Sequence, residues 1–247
     1  MKTLAHKHSE QSGAHELSVR NLHAHYGKVC ALRGVDIELR CGRSVALVGG
    51  NGAGKTTLMK SMIGLLPAST GEVLWKGRPV KRCTTDMAYL PQRQDLDWQF
   101  PITVRALVET GRYPYLGPWR PMREEDHRAV EVAMRTMRIQ ELAERQIGAL
   151  SGGQQQRSFI ARALAQKAHV LLLDEPFAGL DQPSNEILAE LISELTKRGT
   201  LVIASHHELG SVSDIYDEAI LINHSLIAHG AVDEVMTREN IERAFSG

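Results

Sequence analysis

The chain has 247 residues, 43% of them hydrophobic, enough to bury one large core or one core with a smaller subdomain. Lysine plus arginine and aspartate plus glutamate balance at 29 each, which excludes a global field that recruits nucleic acid or an anionic membrane surface. No apolar stretch approaches the roughly 20 residues that span a bilayer, residues 1–16 read as a polar tail without the apolar middle of a secretory signal, and Cys30, Cys41 and Cys83 lack metal-ligand spacing, as expected of buried small side chains in a reducing compartment.

Residues 17–22 (LSVRNL) and 35–40 (VDIELR) largely alternate apolar and polar positions, the pattern of half-exposed antiparallel strands. Tyr26, between them, is either a core aromatic or a ring that stacks on a nucleotide base. The apolar run 44–48 (SVALV) then leads into Gly49, Gly50, Asn51, Gly52, Ala53, Gly54, Lys55, Thr56 and Thr57, followed by a helix-like segment at 58–63. This is strand, glycine loop, helix, with the spacing G-x-x-x-x-G-K-T, whose backbone N–H groups wrap a polyphosphate. Glycine permits the close approach, and the helix directs its N-terminal partial positive charge at the anion. Lys55 is placed to hold the β- and γ-phosphates and Thr56 to ligate Mg²⁺, so the loop predicts a bound nucleoside triphosphate rather than a plain turn.

A further strand is expected at 72–75 and another at 86–90, the latter leading to Pro91 and Gln92. Helices are expected at 103–111, 124–137 and 140–146, within a helical subdomain of about residues 93–150. The second places Val130, Ala133, Met134 and Met137 on one stripe. Residues 113–121, rich in proline and aromatics, read as an irregular exposed connection. Beyond them, Ser151, Gly152, Gly153 and Gln154 open another helix, and 170–173 (VLLL) is a strand covered on both faces. A helix at 184–198, a buried strand at 201–204 and two short strands at 219–222 and 226–228 complete the pattern. The fold class is α/β, a nucleotide-binding core with an antiparallel β region and an inserted helical subdomain.

Ligands in open α/β sheets sit beyond the carboxyl ends of the strands. The glycine loop, Asp174 with Glu175, and His206 with His207 each follow an apolar strand, so all three can converge on one phosphate. Asp174 is suited to hold Mg²⁺ opposite Thr56, and Glu175 to polarise the attacking water as general base. Taken alone, Ser151 is an N-cap of a helix whose bare N-terminus attracts phosphate.

These motifs occur in an order that resembles the ATP-binding-cassette ATPases: the loop 49–57, Gln92, the segment from Leu150 to Gln154, the run ending in Asp174 and Glu175, Gly179 with Leu180 and Asp181, and the histidine after Ser205. The resemblance covers nearly the whole chain from Leu17. It implies a head-to-tail homodimer with two ATP molecules between subunits, each held by the Lys55 loop of one chain and by Ser151, Gly152, Gly153 and Gln154 of the other. Tyr26 then looks like the base-stacking aromatic. Gln92 resembles the γ-phosphate and metal sensor, and Asp181 the residue that communicates across the dimer. His207 aligns best with the switch histidine, with His206 the alternative, although Glu208 stands where the family usually has aspartate. Gly50 stands where many relatives carry proline, which is expected only to loosen the loop slightly.

A narrower resemblance, carried by residues 91–93, 97–104, 221–223 and 226–230, is to the ATPase subunits of bacterial importers for manganese, zinc or iron. It implies two membrane permease subunits, an extracellular substrate-binding protein and a position on the cytoplasmic face of the cell membrane. Import of a metal chelate such as an iron-siderophore, or soluble non-transport work, is the alternative. A DNA or ribosome partner is disfavoured by the neutral charge and the lack of a long coiled-coil insert. Trp98 and Phe100 also fit as packing residues of the helical subdomain. Histidines at positions 6, 8, 15, 23 and 25 have no fixed ligand geometry and read as a solvated tail rather than a metal sensor.

Overall fold

The computed structural model describes residues 16–27, 29–68, 70–80, 85–92, 98, 100–116, 120–207 and 209–246. In chain order it contains β1 (Glu16–Tyr26), β2 (Val29–Arg40), β3 (Ser44–Val48), α1 (Lys55–Met62), β4 (Thr70–Trp75), β5 (Arg78–Pro79) and β6 (Met87–Leu90). There follow α2 (Val104–Glu109), α3 (Tyr113–Leu116), α4 (Glu124–Thr136), α5 (Gly152–Ala165), β7 (Val170–Leu173), α6 (Gln182–Lys197), β8 (Leu201–Ser205), α7 (Val212–Ile215), β9 (Glu218–Asn223), β10 (Ser225–Ala231), α8 (Val232–Val235) and α9 (Arg238–Phe245). The expected polar tail, with His6, His8 and His15, lies almost wholly outside the described residues, as do Cys83, Arg93, Asp97, Gln99, residues 117–119, Glu208 and the side chain of Tyr26.

Among the described residues the strands form two sheets, one in the order β10-β9-β3-β8-β7-β6 and one in the order β2-β1-β4-β5. In the first, β9, β3, β8, β7 and β6 pair in parallel, and β10 returns antiparallel beside β9. The second is antiparallel throughout. The near-continuous apolar runs of the parallel strands follow from their two buried faces. Ala46, Val48, Leu171, Leu173, Val202 and Ala204 enter one core with α2, α4, α5 and α6. Their neighbours Val45, Leu47, Val170, Leu172, Leu201 and Ile203 enter the other, with α1 and the antiparallel sheet.

Four expectations need correction. His23 and His25, read with the solvated tail, lie within β1. Residues 140–146 do not form an α-helix; only short 3₁₀ turns occur, at Gln140–Leu142 and Ile147–Ala149. The carbonyls of Ala143 and Arg145, which would otherwise remain free for a helix, accept the main-chain N–H groups of Arg105 and Val104. They therefore satisfy unpaired donors in the first turn of α2. The start of the 113–121 connection is helical, with Pro114 in the first turn, where its missing N–H costs nothing. Cys30 and Cys41 are half-buried rather than core residues.

An ion pair stitches the helices to the sheet. Arg112 Nε donates to Asp126 Oδ1 at 2.8 Å and its Nη1 to the Ala165 carbonyl at 2.9 Å, while the guanidinium lies 4.2 Å from the centre of the Tyr115 ring. Tyr115 in turn donates to the Gln166 carbonyl, and Gln166 Nε2 to the Met87 carbonyl of β6. Trp98 packs edge-on against Phe159 with ring centres 5.1 Å apart, whereas Phe100 is exposed. No helix among the described residues is long and apolar enough to cross a membrane.

Candidate functional site

The glycine loop sits at the carboxyl end of β3 and its last glycine, Gly54, caps α1 at φ +99°. A side chain on Gly54 would meet Leu32 Cδ2 at 2.7 Å and one on Gly49 the Ile222 carbonyl at 2.3 Å, so packing against β2 and β9 demands glycine at both. Lys55 is buried, and its Nζ donates to the carbonyls of Gly49 and Gly50 at 2.8 and 3.0 Å. Burial pushes its ammonium below the usual lysine range, opposed by the carboxylates of Glu175 and Asp174. Gly50 is more firmly held than expected: its N–H donates to the Ala244 carbonyl of α9 at 3.1 Å, a bond proline in its place could not make.

β7 and β8 end beside this loop. Thr56 Oγ1 donates to Asp174 Oδ2 at 2.7 Å, and the Tyr89 hydroxyl lies 3.4 Å from the same oxygen. Both oxygens of Glu175 are engaged, Oε1 by His207 Nε2 at 2.6 Å and Oε2 by Gln92 Nε2 at 2.7 Å. His206 faces the core instead. It is buried, its Nε2 is 2.8 Å from Ser211 Oγ, and its ring packs edge-on against Phe177 and Tyr216. The structure thus brings Lys55, Thr56, Gln92, Asp174, Glu175 and His207 together.

Ser151, Gly152, Gly153, Gln154 and Asp181 lie at the starts of two helices, α5 and α6. Ser151 and Gln154 form a reciprocal capping box at the start of α5, Oγ accepting from the Gln154 N–H and Oε1 from the Ser151 N–H. Asp181 caps α6 by accepting the Ser184 N–H at 3.1 Å, and the Ser184 hydroxyl, followed by that N–H, holds its carboxyl below the usual carboxylate range. The cap explains why α6 begins at Gln182, earlier than the apolar pattern indicates. Gln156 Nε2 links α5 to the Pro176 carbonyl at 3.3 Å. Tyr26 ends β1.

Sequence reasoning assigned no role to two hydroxyls here, those of Tyr89 and Ser205. Ser205 ends the otherwise apolar β8, and the parallel pairing of Leu173 with Ala204 places it beside Asp174. Among the described residues no group of three or more histidine, cysteine or acidic side chains is arranged to hold a metal ion.

Residues 32–178 match the sequence model of the ABC transporter family. The chain is 40% identical to the manganese transport system ATP-binding protein MntB of Listeria innocua, over 93% of this chain and 95% of that one. It is 41% identical to the zinc transport system ATP-binding protein TroB of Treponema pallidum, over 95% and 88% of the two. Among solved structures it resembles CbiO1 of Clostridium perfringens, part of the cbiONQ ABC transporter complex, with a TM-score of 0.77 and 27% identity over 93% of this chain and 94% of that one. It likewise resembles an ABC transporter ATP-binding subunit with a TM-score of 0.78 and 25% identity over 91% and 93%.

Proposed function

The chain belongs to the ABC transporter family as an ATP-binding, ATP-hydrolysing subunit, and we propose that it powers import of a divalent metal ion, manganese, zinc or iron. The observation that carries the hydrolytic part is Glu175, whose carboxylate lies between Gln92 and His207 beside the Lys55 loop. The metal as cargo is supported by the manganese and zinc systems to which the relatives belong.

In this reading the loop from Gly49 to Thr57 wraps the triphosphate and Lys55 turns from its carbonyl partners to the β- and γ-phosphates. Thr56 and Asp174 present hard oxygens of the kind Mg²⁺ takes, one carboxylate and one hydroxyl rather than a full cage, and Gln92 completes the set. When bound, Mg²⁺ neutralises charge on the β- and γ-phosphoryl oxygens. Glu175 takes the proton of the attacking water, and His207 and Gln92 hold its carboxylate in line. Tyr26 stacks on the base. A second copy of the chain closes over the nucleotide with its Ser151, Gly152, Gly153 and Gln154, Asp181 linking the two sites. The helical insert of about residues 93–150 passes that closure to two permease subunits at the cytoplasmic face of the membrane, which receive the metal from an extracellular binding protein.

Two measurements test this. Glu175→Gln should bind ATP with near-normal affinity and hydrolyse it at least about 100-fold more slowly; normal turnover removes Glu175 from the base role. Cells lacking the chain should be short of one of the three metals, with restoration by wild type and not by Glu175→Gln. Unchanged levels of all three under scarcity of each would refute metal import.

A further inference from the structure

Ser205 is 1% exposed and stands between the two acidic residues of the site. Its Oγ accepts the main-chain N–H of Glu175 at 2.6 Å and donates to Asp174 Oδ1 at 2.8 Å. Asp174 still follows the sheet, donating its N–H to the Leu90 carbonyl at 2.9 Å. At Glu175 the backbone turns into the left-handed region, φ +51°, which a residue with a Cβ rarely adopts. The turn aims the Glu175 carboxylate at Gln92 and His207, while its N–H is bonded to the serine side chain rather than to a main-chain carbonyl of the ladder.

We propose that Ser205 is a positioning residue for hydrolysis: its hydroxyl supplies the bond that the departing Glu175 N–H loses, fixes the left-handed turn, and orients Asp174 in the same stroke. Asp174 Oδ2 remains directed at Thr56 because the serine occupies the other oxygen. Ser205 acts through its two neighbours, so its loss falls on turnover more than on nucleotide affinity. The inference rests on the reading of Glu175 as the base.

The test compares Ser205→Ala, Ser205→Thr and Glu175→Gln in the full chain. Ser205→Ala should lower kcat roughly 10- to 100-fold, the scale of a small misplacement of a reacting group, with KM for ATP changed less than about threefold. Hydrogen exchange on the nucleotide-free chain supplies an independent readout: the Glu175 amide should exchange at least about tenfold faster in Ser205→Ala. Ser205→Thr keeps the hydroxyl and should recover most of the rate and the protection. Full kcat in Ser205→Ala, an unchanged Glu175 amide, or equal losses in the alanine and threonine variants would each overturn the proposal. If Glu175→Gln is inactive while Ser205→Ala is not, positioning by Ser205 alone fails; if Glu175→Gln turns over normally, the base reading falls and this inference with it. Should the alanine variant not fold, Ser205→Cys, similar in size but a weak donor, is judged by the same criteria.

Discussion

Replacing Arg112 with methionine removes a buried cation that ties the turn after α2 to the first turn of α4 and the end of α5. The Arg112 and Asp126 side chains are 9% and 3% exposed, so the pair lies beyond most solvent screening. Breaking such a pair by removing one partner costs about 3–5 kcal/mol, because the remaining charge stays buried. Asp126 keeps one strong donor, the Arg123 N–H at 3.0 Å, and methionine fills much of the vacated volume, which places the expected loss near the lower figure, about 3 kcal/mol. For a chain of this length that corresponds to a fall in melting temperature of roughly 6–12 °C. Urea denaturation of Arg112→Met, Asp126→Asn and the double variant measures the loss and the coupling. The double variant should be about 2 kcal/mol more stable than the sum of the single losses implies. A loss under about 1 kcal/mol for Arg112→Met, or strict additivity, would refute the claim that the pair holds these helices together.

The same carboxylate predicts an acid dependence. The Arg123 N–H, and after it the Arg112 guanidinium, hold the Asp126 carboxyl below the usual range, so its contribution is complete above the unfolded pKa of about 4 and is lost as pH falls from there through the folded value. The urea midpoint of wild type should therefore drop more steeply than that of Asp126→Asn below about pH 4; parallel curves would refute this. At the glycine loop, Gly50→Pro should cost about 1 kcal/mol through the lost bond to Ala244, partly offset by a stiffer unfolded chain. Gly50→Ala has room, its nearest neighbour being 3.6 Å from the added Cβ, and should retain ATP affinity, whereas Gly49→Ala, at 2.3 Å from the Ile222 carbonyl, should lose it by equilibrium binding.

The chemistry of this site is written locally. Glycine spacing, a lysine and a threonine in register, and a carboxylate pair ending an apolar run are signals that a short window carries whole, and two-sided burial of parallel strands makes them continuous. What a window cannot show is which direction a side chain takes once the strand ends. His206 and His207 are adjacent and chemically identical, yet the first is committed to the core against Phe177 and Tyr216 and the second reaches Glu175. The bonds of Gly50 to Ala244 and of Ser205 to Glu175 span 194 and 30 residues, respectively, and neither partner leaves a trace near the other in sequence. The segment 140–146 has a helical pattern, but a neighbouring helix claims its carbonyls. The sequence alone determined the candidate groups and their order along the chain. Strand register and competition for main-chain hydrogen bonds, which exist only once distant segments meet, decided how those groups are aimed.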